Sequence, residues 1–140
     1  MAKVKRAPEP SEHASQCTVI EWWAQACKGY RLPEFALLAI PNGSARHVVV
    51  ARKLKAEGVR AGIPDLFLAA RAKSFFGSGG PADYEVLPGL WIEMKRKPNK
   101  VSDEQAAVIV YLKQQGYRCV IAWNVDEAIV AIKTYLRHHV

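Results

Sequence analysis

A carboxylate and an amine two residues apart in an apolar segment are the first feature that suggests chemistry. Glu93 and Lys95 lie in the segment Trp91-Ile-Glu-Met-Lys95. Because successive side chains of a strand point to opposite faces, a strand here places Glu93 and Lys95 side by side on one face. A second acid, Asp65, opens another apolar segment after the turn Gly62-Ile-Pro64. If the two segments form adjacent strands, the carboxylates of Asp65 and Glu93 converge.

Two converging carboxylates could bind a metal ion that promotes the hydrolysis of phosphate esters. Two such groups repel each other, and they are stable together only with a compensating cation. A hard divalent ion such as Mg²⁺ or Mn²⁺ suits oxygen ligands, and it would polarise a phosphate and supply a bound hydroxide. Lys95 would orient or deprotonate the attacking water, or stabilise charge on the phosphate. The opposing interpretation is an edge-strand ion pair worth about 0–1 kcal/mol. Removing an acid–lysine pair from water in an apolar strand is unfavourable, so its presence there favours a functional role.

The charge of the chain indicates a polyanionic partner. The 140 residues include 20 Lys and Arg against 13 Asp and Glu, a net charge of +7. On a chain with the length of one domain, this surplus suggests nucleic acid as the partner, and a soluble basic surface is the alternative. No apolar run approaches a membrane span, and the N-terminal residues lack the apolar segment of a signal peptide. The three cysteines have no metal-ligand spacing, so we expect them to be reduced and buried in a cytoplasmic protein; they are Cys17, Cys27 and Cys119.

The elements that must position these groups follow from periodicity and turn residues. Residues 1–10 are expected to form a basic, mobile arm. A helix begins after an N-cap at Ser11 and ends near Lys28, and its apolar stripe is predicted at Cys17, Ile20, Ala24 and Cys27. Further helices are predicted over 45–57, over 102–115 and from about 126, and strands over 35–40, 65–69, 90–96 and 118–123. Segment 71–89 is Gly-rich and without periodicity, so it is predicted to be a loop insertion.

This order of elements predicts an α/β fold. Residues 11–140 would form a single domain with a central mixed β-sheet flanked by α-helices. The segment from Leu90 to Trp123 is long enough for a right-handed parallel strand–helix–strand crossover.

Six sequence pieces occur in an order that resembles a known family. They are Glu12 with Gln16, Pro41-Asn-Gly43, Gly58-Val-Arg-Ala-Gly-Ile-Pro-Asp65, Ile92-Glu-Met-Lys-Arg96, Ser102 with Gln105, and Gly116-Tyr117. Together they resemble the VRR-NUC (virus-type replication-repair nuclease) family of the PD-(D/E)xK nuclease superfamily. The resemblance spans about Ser11 to Leu136 and is to the small stand-alone members of phages and bacteria. It implies a restriction-endonuclease-like core and a metal-dependent endonuclease that hydrolyses phosphodiester bonds in DNA.

The resemblance also implies roles for individual residues at the site. Asp65 and Glu93 would bind Mg²⁺ or Mn²⁺, the backbone carbonyl of Met94 would be a further ligand, and Lys95 would be the catalytic lysine. Glu12 would complete the metal site, although an acid in the first turn of a helix is also favoured by the helix dipole.

Gln105 would be the glutamine that the family carries on the helix after the catalytic strand. Its spacing from Ser102 is equally that of a reciprocal helix cap. Gln16 and Asn42 are expected to act as positioning residues, and Glu21 is the less favoured acid of the first helix because it lies opposite part of the predicted stripe.

Branched DNA is the substrate that the resemblance implies. Small family members resemble homodimeric resolvases of four-way (Holliday) junctions, which places the protein in DNA repair or recombination in a bacterial or phage-infected cell. Basic residues expected to face the DNA are Arg46, Arg52, Lys53, Lys55, Arg96, Lys97 and Lys100. Two alternatives stay open at this point: a non-catalytic nucleic-acid-binding module on the same fold, and a restriction-type nuclease that reads duplex sequence.

Overall fold

The computed structural model describes residues 7–42, 47–77 and 80–140. The helices in these ranges are α1 (Glu12–Ala26), α2 (Val48–Ala56), α3 (Asp103–Gln114) and α4 (Val125–Leu136). The strands are β1 (Leu37–Ala39), β2 (Leu66–Leu68), β3 (Ala72–Phe75), β4 (Tyr84–Leu87), β5 (Leu90–Met94) and β6 (Arg118–Ala122). Within the described ranges, no helix combines the length and apolar character that crossing a membrane requires.

Four strands form the central sheet in the order β1-β2-β5-β6. The pairs β1–β2 and β2–β5 are antiparallel, whereas β5–β6 is parallel and is connected through α3. The predicted mixed sheet and parallel crossover are therefore confirmed. Leu66 lies opposite Ile92 in the β2–β5 pair, and the same antiparallel register continued by one residue places Asp65 opposite Glu93.

The two faces of β2 and β5 differ in the residues that they carry. Leu66, Leu68 and Ile92 point to one face and are fully buried in the hydrophobic core. Helices α1 and α4 pack against this face and against each other, and contribute Val19, Trp23, Ile132 and Leu136 to the core. By alternation, the opposite face carries the acids at 65 and 93.

The predicted stripe of α1 is only partly correct, because Cys27 is buried and Ile20 packs against the core, whereas Cys17 is exposed. The helix residues that pack inwards lie at four-residue steps, at Ser15, Val19, Trp23 and, just after the helix, Cys27. Trp23 fixes this orientation, because its indole N–H donates a hydrogen bond of 2.8 Å to the carbonyl oxygen of Glu34 and its ring stacks on Tyr30. Apolar residues surround α1 on several sides, so periodicity alone admits more than one buried face.

The prediction that all three cysteines are buried is also only partly correct. Cys27 is buried and Cys119 is half-buried, but Cys17 is exposed, and all three are free thiols. Cys17 is exposed because the rotation of α1 that buries Trp23 turns position 17 towards solvent.

The predicted loop at 71–89 is instead an antiparallel hairpin of β3 and β4, with Ala72 opposite Leu87. Its main chain pairs with the C-terminal residues of the protein, since the Lys73 N–H donates to the carbonyl of His138. The hydroxyl of Tyr135 lies 2.7 Å from the carbonyl oxygen of Ala70 and joins the hairpin to α4. These partners are more than 60 residues away in the chain, so a search for local periodicity could not find them.

The turn before β2 is held against the start of α3. Gly62 has a φ of +82°, a conformation that favours glycine. A Cβ atom at this position would lie 3.0 Å from the backbone carbonyl atoms of Glu104. The close approach sets the position of Asp65, three residues later, relative to the helix that carries Gln105.

Candidate active site

The carboxylate of Asp65 points across the sheet towards β5. Its Oδ2 accepts a hydrogen bond of 2.8 Å from the backbone N–H of Met94, and its Oδ1 accepts one of 3.2 Å from the side-chain amide of Asn42. Asn42 follows β1 by three residues. The carboxylate is therefore fixed by two neighbouring segments and lies next to Glu93.

Glu93 is the most buried charged residue in the described part of the chain, with a relative exposure of 2%. Its Oε1 accepts a hydrogen bond of 2.7 Å from the side-chain amide of Gln105, and the Nζ of Lys95 lies 3.5 Å from the same oxygen. Its Oε2 is buried and has no hydrogen-bond partner among the described residues. A buried acceptor without a partner is unfavourable by about 1–3 kcal/mol, so this oxygen is suited to receive a ligand.

Glu12 reaches the same region from the start of α1. The hydroxyl of Ser11 caps the helix by accepting a hydrogen bond from the N–H of Ala14, which confirms the predicted N-cap. The carboxylate Oε1 of Glu12 accepts from the backbone N–H of Arg96 at 3.2 Å and from the side-chain amide of Asn99 at 2.9 Å. Glu12 thus connects α1 to the turn that follows β5.

The three acids are close enough to influence one another. Burial raises the pKa of Glu93 to about 7, the charges of Asp65 and Glu12 act in the same direction, and Lys95 opposes them. Burial also raises the pKa of Asp65; the Met94 N–H lowers it, and the charge of Glu12 raises it. The site therefore holds more negative charge than its own cation compensates.

The residues present fit a divalent cation bound partly by the protein. Within residues 7–42, 47–77 and 80–140, no three His, Cys, Asp or Glu side chains form a complete ligand set. The two opposed carboxylates and the unpartnered Oε2 of Glu93 nevertheless supply oxygen donors where negative charge accumulates. Mg²⁺ commonly binds through one or two carboxylates and completes its shell with water and substrate phosphates.

Gln105 makes both of the contacts that the sequence left open. Its side-chain oxygen accepts from the N–H of Ser102, and the Ser102 hydroxyl accepts from the N–H of Gln105, so the predicted capping box is present. Its side-chain NH₂ group simultaneously donates to Glu93. Helix capping and orientation of the acid are therefore compatible in one residue.

The remaining predicted residues differ in how exposed their side chains are. Gln16 is half-buried on α1, and Glu21 is exposed. Of the residues predicted to face DNA, Arg96 is half-buried, and the exposed ones are Arg52, Lys53, Lys55, Lys97 and Lys100. Arg46 lies outside the described residues.

Sequence reasoning missed Asn99, which contacts Glu12. The residue lies in the turn Lys97-Pro-Asn99, where Pro and Asn are ordinary turn residues. Only its position shortly after the Glu93–Lys95 pair could have suggested a role at the site.

The fold and the site define the protein as an α/β domain with an acid–acid–lysine set on two adjacent strands of a mixed sheet. A model of the VRR-NUC domain matches residues 6–126, so the chain belongs to the VRR-NUC family, which is of the nuclease type with DNA as its substrate. A solved structure described as a VRR_NUC domain protein is similar, with a TM-score of 0.70 and 25% sequence identity. The similarity covers 94% of this chain and 93% of the other. A search of the curated proteins finds no match.

Proposed function

We propose that the protein is a Mg²⁺- or Mn²⁺-dependent endonuclease that hydrolyses phosphodiester bonds in DNA. The observation that carries this proposal is the buried Oε2 of Glu93, which has no hydrogen-bond partner among the described residues. Glu93 lies on the strand next to Asp65 and beside Lys95. A structural ion pair would leave neither an unpartnered carboxylate oxygen nor a second acid opposite it.

The metal would be held by the carboxylates of Asp65 and Glu93 and by the backbone carbonyl of Met94, with Glu12 completing the site. When bound, the ion would neutralise phosphate charge and lower the pKa of a coordinated water. Gln105 restrains one oxygen of Glu93 and so leaves the other for the metal.

Lys95 is proposed to act as the catalytic base or to stabilise negative charge on the phosphate. Its Nζ is 3.5 Å from Glu93, and its side chain has a relative exposure of 10%. A lysine held this close to the acids would hold the attacking water in position, accept its proton, or stabilise negative charge as it develops on the phosphate oxygens.

Basic residues around the acids are proposed to bind the DNA backbone. Arg96, Lys97 and Lys100 follow the catalytic strand directly, and the exposed lysines and arginine of α2 form a second basic surface. Contacts of this kind release counterions, so we expect binding to weaken steeply with salt. Arg46 stays a predicted DNA contact outside the described residues.

Branched DNA, such as a four-way junction in repair or recombination, is the proposed substrate, and a homodimer is the proposed form.

A groove of about 680 Å³ between the β3–β4 hairpin and α4 supports the proposed homodimer. Phe75 and Val130 line it and remain 46% and 59% exposed, as is typical of a surface that packs against another chain. A two-fold dimer would present two active sites to two strands of a symmetric junction. Light scattering of wild type and Val130→Lys tests this: a wild-type monomer would contradict it.

The experiment for the activity compares labelled four-way junctions, flaps, linear duplex and single strands, each with Mn²⁺, with Mg²⁺ and with EDTA. Asp65→Ala should still bind these substrates and fail to cut them. Glu21→Ala, which removes an exposed acid of α1, is the matched control and should cut normally. Absence of metal-dependent cleavage on every substrate would refute the proposal.

A non-catalytic DNA-binding module is the second candidate, and the net charge of +7 favours it equally. It predicts salt-sensitive binding with no product and no effect of metal. The acids argue against it, because a module that only binds DNA gains nothing from buried carboxylates that repel phosphate.

A further inference from the structure

A second cavity adjoins the candidate active site and shares Lys95 with it. The cavity has a volume of about 320 Å³, within the roughly 300–1,000 Å³ of small-ligand sites. Its wall includes residues just beyond the ends of the parallel strands β5 and β6, together with residues at the starts of α1 and α4. Ligands of α/β sheets commonly bind beyond the carboxyl ends of parallel strands.

Consecutive cations line one side of this cavity. Lys95, Arg96 and Lys97 all contribute to the wall. Neither Arg96 nor Lys97 forms an ion pair within the part of the chain that the structure describes. These two side chains are therefore available to an anion beside the lysine of the site.

Two acids also line the cavity, and one of them is already engaged. The Oε2 of Glu127 accepts a hydrogen bond of 2.7 Å from the backbone N–H of Trp123. Glu9, the other acid, is exposed and precedes α1. The lining holds Lys95, Arg96 and Lys97 against these two acids, so the cavity has no excess of negative charge that would favour a cation over a singly charged phosphate diester.

Trp123 supplies an aromatic group to the same wall. It follows β6 directly, and its side chain is only half-buried. The hydrogen bond from its N–H to Glu127 fixes its main chain at the start of α4. Nucleobases stack on such aromatic side chains in proteins that bind single strands.

We propose that this cavity binds the nucleotide next to the scissile phosphate, with the base against Trp123 and the flanking phosphate against Arg96 and Lys97. The proposal rests on the proposed function and specifies its substrate. A base within a duplex is stacked on both sides and cannot enter a cavity. The protein therefore requires an unpaired or unstacked nucleotide beside the cleaved bond, which branch points and single strands provide.

The first test measures binding without catalysis. The dinucleotide pdTdT is titrated in EDTA into full-length wild type, Trp123→Leu and Trp123→Phe, followed by NMR chemical shifts. We expect Trp123→Leu to weaken binding about 10-fold and Trp123→Phe to retain most of it, because the ring provides the stacking surface. Lys97→Ala should also weaken binding, whereas Lys113→Ala, an exposed lysine at the end of α3, should not.

Each outcome of this titration has a definite meaning. Equal binding to wild type and Trp123→Leu, or displacement of pdTdT by inorganic phosphate at equal concentration, would make the cavity an anion site and overturn the proposal. Absence of pdTdT binding to a wild type that still cuts DNA would overturn it while leaving the proposed function intact. If pdTdT binding depends on Trp123 but the protein cleaves no DNA substrate with either metal ion, the proposed function is refuted instead. Thermal unfolding of each variant shows whether it is folded.

The second test uses cleavage substrates with one abasic nucleotide at successive positions around the cut. At the position that occupies the cavity, the abasic nucleotide should lower kcat/KM of the wild type about 10-fold and that of Trp123→Leu no further. Independent, multiplicative losses at every position would show that the base does not contact Trp123.

Discussion

The two faces of the strand pair β2–β5 are stabilised by different kinds of partner. On one face, Leu66 and Ile92 are completely buried against α1 and α4. On the other, Asp65 and Glu93 face each other with raised pKa values. The apolar face needs only alternating apolar residues that are buried by the two helices α1 and α4. The charged face needs partners from remote segments, since Glu12 contacts the main chain of Arg96, 84 residues later in the sequence.

The apolar face of the sheet stabilises the fold, whereas the charged face carries the groups proposed for catalysis at a cost in stability. A buried Leu or Ile side chain stabilises the fold by about 1.5–3 kcal/mol. Ionised Glu93 does the reverse, because a pKa of about 7 against the ordinary 4.5 makes its charged form unfavourable by roughly 3 kcal/mol. Substitutions on the two faces should therefore have opposite signatures in activity and in stability.

The largest effect is expected at Lys95. Replacement by alanine should lower kcat by about 10³-fold, within the roughly 10²–10⁴ range of a positioned base, while the variant still binds DNA. Leu68→Ala, on the opposite face, should lower the free energy of unfolding by about 3 kcal/mol and leave the kcat of the folded fraction unchanged. Single-turnover cleavage and urea unfolding measure the two quantities. A Lys95→Ala variant that cuts within tenfold of wild type would remove the lysine from the reaction.

The next effect is a gain in stability from Glu93→Gln. Between pH 4.5 and about 7, the folded state holds the Glu93 proton more tightly than the unfolded state, so the wild type loses stability as pH rises through this window. Glutamine does not titrate, and the variant in EDTA should exceed the wild type by roughly 3 kcal/mol at pH 8 and by nothing below pH 4.5. Denaturant unfolding at both pH values measures this difference.

Mg²⁺ provides the control for that comparison. A cation that binds only the folded state raises the stability of the wild type at pH 8. The same cation should leave Glu93→Gln unchanged. Equal responses of both proteins to Mg²⁺ would place the metal elsewhere.

The smallest effect separates the two contacts of Gln105. Ser102→Ala removes one half of the capping box, and Gln105→Ala removes the other half together with the hydrogen bond to Glu93. Each should lower stability by about 1 kcal/mol, but only Gln105→Ala should lower kcat, by about 10-fold for one lost hydrogen bond to a charged group. Thermal unfolding and single-turnover rates of the pair decide this, and equal kcat losses would assign Gln105 to capping alone.

Most of the charged face could be predicted because its main features are local. The two-residue spacing of Glu93 and Lys95 sets their common side in any strand, and the Ser102–Gln105 spacing encodes a helix cap. The opposition of Asp65 to Glu93 required only that their strands be neighbours, which the structure confirms.

The parts that could not be predicted depend on distant partners. The phase of α1 is decided by the hydrogen bond of Trp23 to Glu34, and the hairpin at 71–89 pairs with the end of the chain. Asn99 is recognisable only once Glu12 is known to lie beside it. Each of these features is a long-range contact that leaves no periodic signal in its own segment.

The contact of Gly62 with the start of α3 constrains the geometry of the candidate active site. Two stretches of main chain touch there, at a separation that no side chain can adjust. The spacing between the acid after the turn and the amide on the helix is thus inherited from the path of the backbone. Any side chain at position 62 would push the two stretches apart and change that spacing.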